Sequence, residues 1–268
     1  MEKGRVLSDS GRTAQVLVWD NNRVLKLFRE GFTISHIQKE ERISRTVFEA
    51  GLPVPAVHGI VEVEGRYGIV FDRVDGPLMM EEILTKPGEF TYLMKLFAEI
   101  HAKMHAITIP GLSSQRQKLA SQIQSAPRLS DKEQEAALSA LTRLPEDDKL
   151  CHGDYHPGNI LMSSRGPVVI DCADASQGNP HADVARTLLL VQTAEPDWIE
   201  DIEQRKIVRS LIQSFPLDIY FKRYREFQSL SQEQLDAWRL PLAAARLDEG
   251  LSLIEENRLL SIVASLVD

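Results

Sequence analysis

The sequence predicts an α+β protein in two parts: strands around a single helix over residues 1–76, then a mainly helical stretch over 77–268. Three observations carry this. Two β-rich runs, 15–19 (QVLVW) and 23–28 (RVLKLF), flank the turn sequence Asp20-Asn21-Asn22. A long amphipathic pattern covers 90–106 (FTYLMKLFAEIHAKMHA). Between them Asp75-Gly76-Pro77 interrupts every period and marks the boundary.

The elements follow in order. After the first two strands, Ile37, Ile43, Val47 and Phe48 recur at helical spacing and predict a helix over 37–50. Gly51 ends it, and Pro53 and Pro55 prevent its continuation. Strands 57–63 and 67–72 are joined at Glu64-Gly65-Arg66. In the second part, helices are predicted over 114–125 and 130–143, the latter opening on Ser130 with Glu133 three residues on, a capping-box pattern. The helical trend breaks over 150–175 with a loop and the apolar strand 167–171, then resumes from about 184. The final stripe, LSLIEENRLLSIVASLV, reads as a packed C-terminal helix.

Composition narrows the function classes. A formal net charge of −8 disfavours nonspecific nucleic-acid binding. Acidic and basic side chains balance over residues 1–76, so the whole acidic excess falls in 77–268. No apolar run is long enough to span a membrane, and MEKGRVLSDSGR has no apolar core of signal-peptide length. With only Cys151 and Cys172 present, a reducing, cytoplasmic location is expected. No sequence feature encodes an oligomeric state.

The chemistry-bearing stretch is LCHGDYHPGNIL, residues 150–161. Asp154 precedes Asn159 by five positions, the spacing of kinase catalytic loops, in which the aspartate receives a hydroxyl proton and the asparagine holds magnesium. A carboxylate orients and deprotonates an alcohol, and an amide oxygen ligates Mg²⁺ without adding charge beside it. Asp171, twelve residues after Asn159 at the end of an apolar strand, is the second candidate metal ligand.

HGDYHPGN, followed by VVIDCADASQGNPHADVAR over 168–186, resembles the aminoglycoside phosphotransferase and choline kinase superfamily. Gly178, Pro180, Asp183 and Ala185 match its G.P..D.A segment; PVP at 53–55 and Val74-Asp75-Gly76 also fit. The resemblance implies a bilobal protein-kinase-like fold: a small N-terminal antiparallel sheet with one helix, a larger helical C-terminal lobe, and a nucleotide in the cleft. It implies transfer of the γ-phosphoryl group of ATP, or another nucleoside triphosphate, to a hydroxyl of a small molecule. Residues 1–76 would form the nucleotide-binding lobe with its hinge, and 77–268 the lobe with the catalytic loop and acceptor site. Asp154 would be the base, and Asn159 and Asp171 the Mg²⁺ ligands. Lys26 would contact the phosphates, with Glu40 as its ion-pair partner and Glu41 as the alternative. The backbone of Asp72 and Val74 would face the adenine with Phe71 behind it, and the loop containing Ser10 and Gly11 would cover the phosphates. That loop has one glycine and no G-x-G-x-x-G, and Cys172 stands where the family often has an aromatic residue.

Simpler readings exist for each position. Asp154 and Asn159 are turn formers, but a turn does not account for the ID strand at the right distance. Lys26 suits an edge strand and Glu40–Glu41 a solvated helix face. His152 reads as a loop-structuring histidine. His156 and Asp174 are open between metal, substrate and turn roles. Asp183 reads as an acceptor for catalytic-loop amides, and both cysteines as core packing. His101 and His105 lie one helical turn apart without further ligands nearby in sequence. Two other functions compete. GD-x-H within Gly153–His156 matches the first metal loop of metallophosphoesterases, but no N-H-[DE] string follows. A regulatory pseudokinase is disfavoured because Lys26, Asp154, Asn159 and Asp171 are all present. The acidic excess, including Glu195, Asp197, Glu200, Asp201 and Glu203, suggests a cationic acceptor such as an amino alcohol or amino sugar, although acids in a helix's first turn need no ligand.

Overall fold

The structure, a computed structural model, describes residues 4–9, 11, 13–195, 202–213 and 217–267. Backbone packing divides the chain into two compact units, Met1–Thr85 with Pro157–Ala175, and Lys86–His156 with Ser176–Asp268. The sequence places one boundary at 76. Packing instead carries the first unit through Thr85 and returns the 157–175 segment to it. Two backbone hydrogen bonds show why: Val169 N donates to Pro53 O and Met162 N to Pro77 O, each at 2.8 Å. Gly76 permits this approach, because a Cβ there would lie 2.3 Å from the Met162 carbonyl oxygen.

The first unit is built on an antiparallel sheet of order β1-β2-β3-β5-β4. Its strands are β1 (Val6–Ser8), β2 (Ala14–Val18), β3 (Arg23–Phe28), β4 (Val57–Val63) and β5 (Arg66–Asp72). Alternation along β3 sends Leu25 and Leu27 to one face, with Val70, Leu17, Trp19, Val61 and Val63. The other face carries Phe28 and Ile69, which pack with Ile37 of α1 (Ile34–Glu49). Lys26, between the two leucines and opposite Ile69, therefore shares the face that α1 covers. Thr33 caps α1 by accepting from His36 N. A short α2 (Met79–Thr85) follows, and a hairpin pairs Ile160–Ser163 with Gly166–Val169.

The second unit is mainly helical. Its helices are α3 (Phe90–Met104), α4 (Gln115–Ser125), α5 (Asp131–Arg143), α6 (Pro180–Thr193), α7 (Ile202–Gln213), α8 (Leu217–Tyr224), α9 (Gln232–Arg246) and α10 (Leu253–Val267). Ser130 and Glu133 form the capping box expected from their spacing. The α3 face bearing Leu93, Met94, Phe97 and Ala98 is buried, and α3 packs against α8. The small Ala243-Ala244-Ala245 run lets α9 pass buried beside α6. A two-stranded ladder, Lys149–Cys151 with Ser176–Gly178, brings the start of the 152–156 loop next to the start of α6. No described helix is long and apolar enough to cross a membrane.

Candidate active site

In the first unit, Lys26 Nζ lies 2.7 Å from Glu40 Oε1 and 2.8 Å from Asp171 Oδ1. Burial pushes the Lys26 ammonium toward its neutral form, but the Asp171 and Glu40 carboxylates outweigh it and hold the pKa above the usual lysine value. Burial raises the Glu40 carboxyl more than Lys26 lowers it. Glu41 turns outward and pairs with Arg45 one helical turn on. Of the two candidates on α1, Glu40 is thus the residue brought to the lysine.

The hairpin explains how Asp171 and Asn159 come to one place. Its register pairs Ile160 with Val169, and Ile170 N donates to Asn159 O at 2.9 Å just beyond that pair. Asn159 therefore enters the first strand at the same end at which Ile170 and Asp171 leave the second. Asp171 then adopts a left-handed backbone conformation, φ 59° and ψ 54°. Few residues other than glycine accept this, aspartate being one of them, and such conformations collect at functional sites. A carboxylate and an amide oxygen at one hairpin end form an all-oxygen donor set suited to Mg²⁺.

The residues expected to meet the rest of a nucleotide also lie in this unit. Ser10 falls outside the described residues. Gly11 is tightly set, since a Cβ would lie 2.7 Å from the Ala14 carbonyl oxygen. Arg29 holds this loop: Nη2 donates to Asp9 Oδ1 at 2.8 Å and to Gly11 O at 2.9 Å. Asp72 ends β5 with its N–H committed to Ala56 O at 2.9 Å and its Oδ1 2.6 Å from His58 Nε2. Val74 follows two residues later, half-buried, outside the strand. Phe71 packs with the Phe28–Ile37–Ile69 cluster beneath α1.

Asp154 belongs to the second unit. Its N–H donates to His152 Nδ1 at 3.2 Å, so His152 structures the loop. His156 Nε2 lies 3.6 Å from Asp154 Oδ2. Burial raises the Asp154 pKa, but His156, Arg186 and His152 outweigh it and leave the carboxyl well below the usual range. Asp154 is therefore ionised and able to accept a proton. Arg186 Nε donates to the Gly153 carbonyl, while its Nη1 lies 2.7 Å from Glu249 Oε1.

Asp183 holds the other side of the loop, donating nothing and accepting four N–H bonds. His152 N reaches Oδ2 at 2.7 Å and Gly153 N reaches Oδ1 at 2.8 Å. His101 Nε2 and His105 Nε2 reach Oδ2 at 3.1 and 3.2 Å. Burial opposes the charge on Asp183, but these donors hold its pKa well below the ordinary carboxylate value. The sequence shows His101 and His105 at i, i+4, but the partner that makes sense of that spacing, Asp183, lies 82 and 78 residues away from them. The cysteines are packing residues. Burial and then the Asp171 charge push the Cys172 thiol up to about 12, and burial raises Cys151 well above its usual value.

Comparison with known proteins shows the fold and the family. No curated protein sequence matches the chain. The solved aminoglycoside-3'-phosphotransferase of type VIII superposes with a TM-score of 0.62 at 20% identity, over 91% of this chain and 94% of that one. A thermostable mutant of aminoglycoside phosphotransferase APH(4)-Ia, in a ternary complex with ADP and hygromycin B, gives 0.62 at 18% identity, over 97% and 92%. An amicoumacin kinase in complex with AMP-PNP, Ca²⁺ and Ami gives 0.62 at 14% identity, over 98% and 88%. The fold is thus the protein-kinase-like fold that the resemblance implies, with its N-terminal antiparallel sheet and larger helical region. The family model described as the phosphotransferase enzyme family matches residues 4–215, a span that holds every one of the candidate site residues, and the chain belongs to that family.

Proposed function

We propose that this protein transfers the γ-phosphoryl group of ATP, or of another nucleoside triphosphate, to a hydroxyl of a small, positively charged molecule. The observation that carries this reading is the half-buried Lys26 ammonium held between Glu40 and Asp171. A lysine fixed by two carboxylates and kept charged is suited to phosphate oxygens, and Asp171 would share a cation with Asn159. The nucleotide-binding part is residues 1–76; its phosphate loop is the one Arg29 holds at Gly11, with Ser10 beside it in sequence. At the adenine edge, Asp72 offers its carbonyl rather than its amide, which Ala56 already takes. Val74 supplies the second backbone contact.

Asn159 and Asp171 would hold Mg²⁺, which, when bound, neutralises phosphate charge and favours phosphoryl transfer. Asp154, ionised and anchored through His152 and Gly153, accepts the proton of the attacking hydroxyl. The acceptor lies in the 77–268 part, which carries the acidic excess. Two of the acids in the 195–203 stretch are already committed: Glu195 to Arg209 and Arg258, and Glu203 to Lys206. Asp197, Glu200 and Asp201 fall outside the described residues. Support for a cationic acceptor therefore rests on the overall charge balance and on the hygromycin B complex of the APH(4)-Ia structure. The unpaired, buried cysteines favour a cytoplasmic setting.

The test is an ATP-consumption screen with Mg²⁺ over aminoglycosides, macrolides, choline, amino alcohols, amino acids and sugars. A phosphorylated hydroxyl product supports the reading. Phosphate release from phosphoesters without nucleotide would instead favour a metallophosphoesterase.

A further inference from the structure

The catalytic-loop anchor extends past Asp183 into two tyrosines of α8. His101 and His105 lie one turn apart on α3, and Tyr220 and Tyr224 lie one turn apart on α8. The two helices pack in register: Tyr220 Oη lies 2.7 Å from His101 Nδ1, and Tyr224 Oη lies 2.6 Å from His105 Nδ1. All four side chains and Asp183 are buried. The path therefore runs Tyr220–His101–Asp183–His105–Tyr224, and the central carboxylate also holds the amides of His152 and Gly153.

The protonation pattern follows from donor and acceptor rules. An ionised carboxylate only accepts, so each imidazole presents an N–H at Nε2 to Asp183. A neutral imidazole then has a bare Nδ1, which needs a donor when buried, and the tyrosine hydroxyl supplies it. Burial and the neighbouring His105 lower the His101 pKa to about 3, consistent with that neutral state. Tyr220 also stacks against Tyr224 and packs at a tilt against Phe97, so its ring is held by packing as well as by the hydrogen bond.

We propose that Tyr220 and Tyr224 are positioning residues for phosphoryl transfer: by partnering the buried Nδ1 atoms of His101 and His105 they hold the two rings with Nε2 toward Asp183, which keeps Asp183 aimed at the His152 and Gly153 amides, and so holds Asp154 in place. This rests on the reading of Asp154 as the base. Removing a hydroxyl leaves a buried Nδ1 without its donor, so the ring is no longer held from that side; it can turn from Asp183, and the loop loosens. The ring stays, so the packing of α8 on α3 is retained.

The test has an arm that does not depend on catalysis. Long-range ¹H–¹⁵N spectra of the wild-type protein report histidine tautomers directly, and His101 is expected as Nε2–H. In Tyr220→Phe and Tyr224→Phe, hydrogen exchange at the His152 and Gly153 amides is expected to rise at least tenfold. Leu259→Val, a buried α10 change, serves as a control that lowers stability without touching the network. With an identified acceptor, kcat should fall roughly tenfold in each tyrosine variant while KM for ATP holds. A His101 Nδ1–H tautomer overturns the proposal, as do amide exchange rates that match those of Leu259→Val. Absence of any phosphotransfer, with the tautomer and exchange results as expected, overturns the proposed function and leaves the anchor standing. If Tyr220→Phe does not fold, the wild-type tautomer and Tyr224→Phe decide.

Discussion

In the proposed reaction, individual side chains divide the work between charge and proton transfer. Asp154→Asn keeps size and polarity but removes the proton acceptor, so kcat should fall by about 10²–10⁴-fold with nucleotide affinity largely kept. Steady-state kinetics with ATP titration checks this. Lys26→Ala leaves Glu40 buried without its cation, a change that costs about 3–5 kcal/mol when a buried pair is broken. Glu40→Ala should cost less, because Asp171 still faces the lysine at 2.8 Å. Urea unfolding of the two variants gives the comparison; equal losses would mean that Asp171 does not share the lysine's charge. Asp171→Ala should abolish the Mg²⁺-dependent tightening of ATP binding, read by calorimetry with and without the ion.

At the scale of elements, short connections place these groups, and how legible they were differed accordingly. Helix and strand periods were readable: β3, β4 and the capping box of α5 fall where the pattern puts them, because local propensity and burial agree there. The HGDYHPGN loop was recognisable because its residue types lie together in one short stretch of chain. Three things were not. The return of residues 157–175 to the first unit depends on backbone hydrogen bonds to Pro53 and Pro77, which leave no side-chain signature. Strand 167–171 ends at Val169, since Asp171 turns into the left-handed region. The Tyr220–Tyr224 pair looks like ordinary helix core until α8 is laid beside α3, although its spacing repeats that of His101–His105. The turn at Gly11, proposed to cover the phosphates, yields its own expectation. Gly11→Ala places a methyl against the Ala14 carbonyl and displaces the loop that Arg29 holds. It should raise KM for ATP several-fold with little change in melting temperature, which parallel kinetics and thermal melts would show.

For the whole molecule, the buried network couples stability to pH. Burial, with His105 beside it, lowers the His101 pKa from 6.5 to about 3 on folding. The unfolded chain therefore binds the extra proton first, and stability drops as pH falls from about 6.5 toward 3. Asp183, depressed in the fold, adds a loss that begins only near the unfolded carboxylate value and deepens in more acid solution. Melting temperature against pH should thus decline already between pH 6.5 and 5, and His101→Gln should flatten that part of the curve. The acidic excess of residues 77–268 is a long-range property, so kcat/KM for a cationic acceptor should fall as salt rises. The most direct test of the central claim is ³¹P NMR of a reaction containing the protein, Mg²⁺, ATP and the best acceptor from the screen, run beside Asp154→Asn. The account predicts a new phosphomonoester resonance growing in step with ADP for the wild type and none for the variant over the same time. ATP breakdown to ADP and free phosphate with no phosphomonoester, or equal product from both proteins, would contradict it.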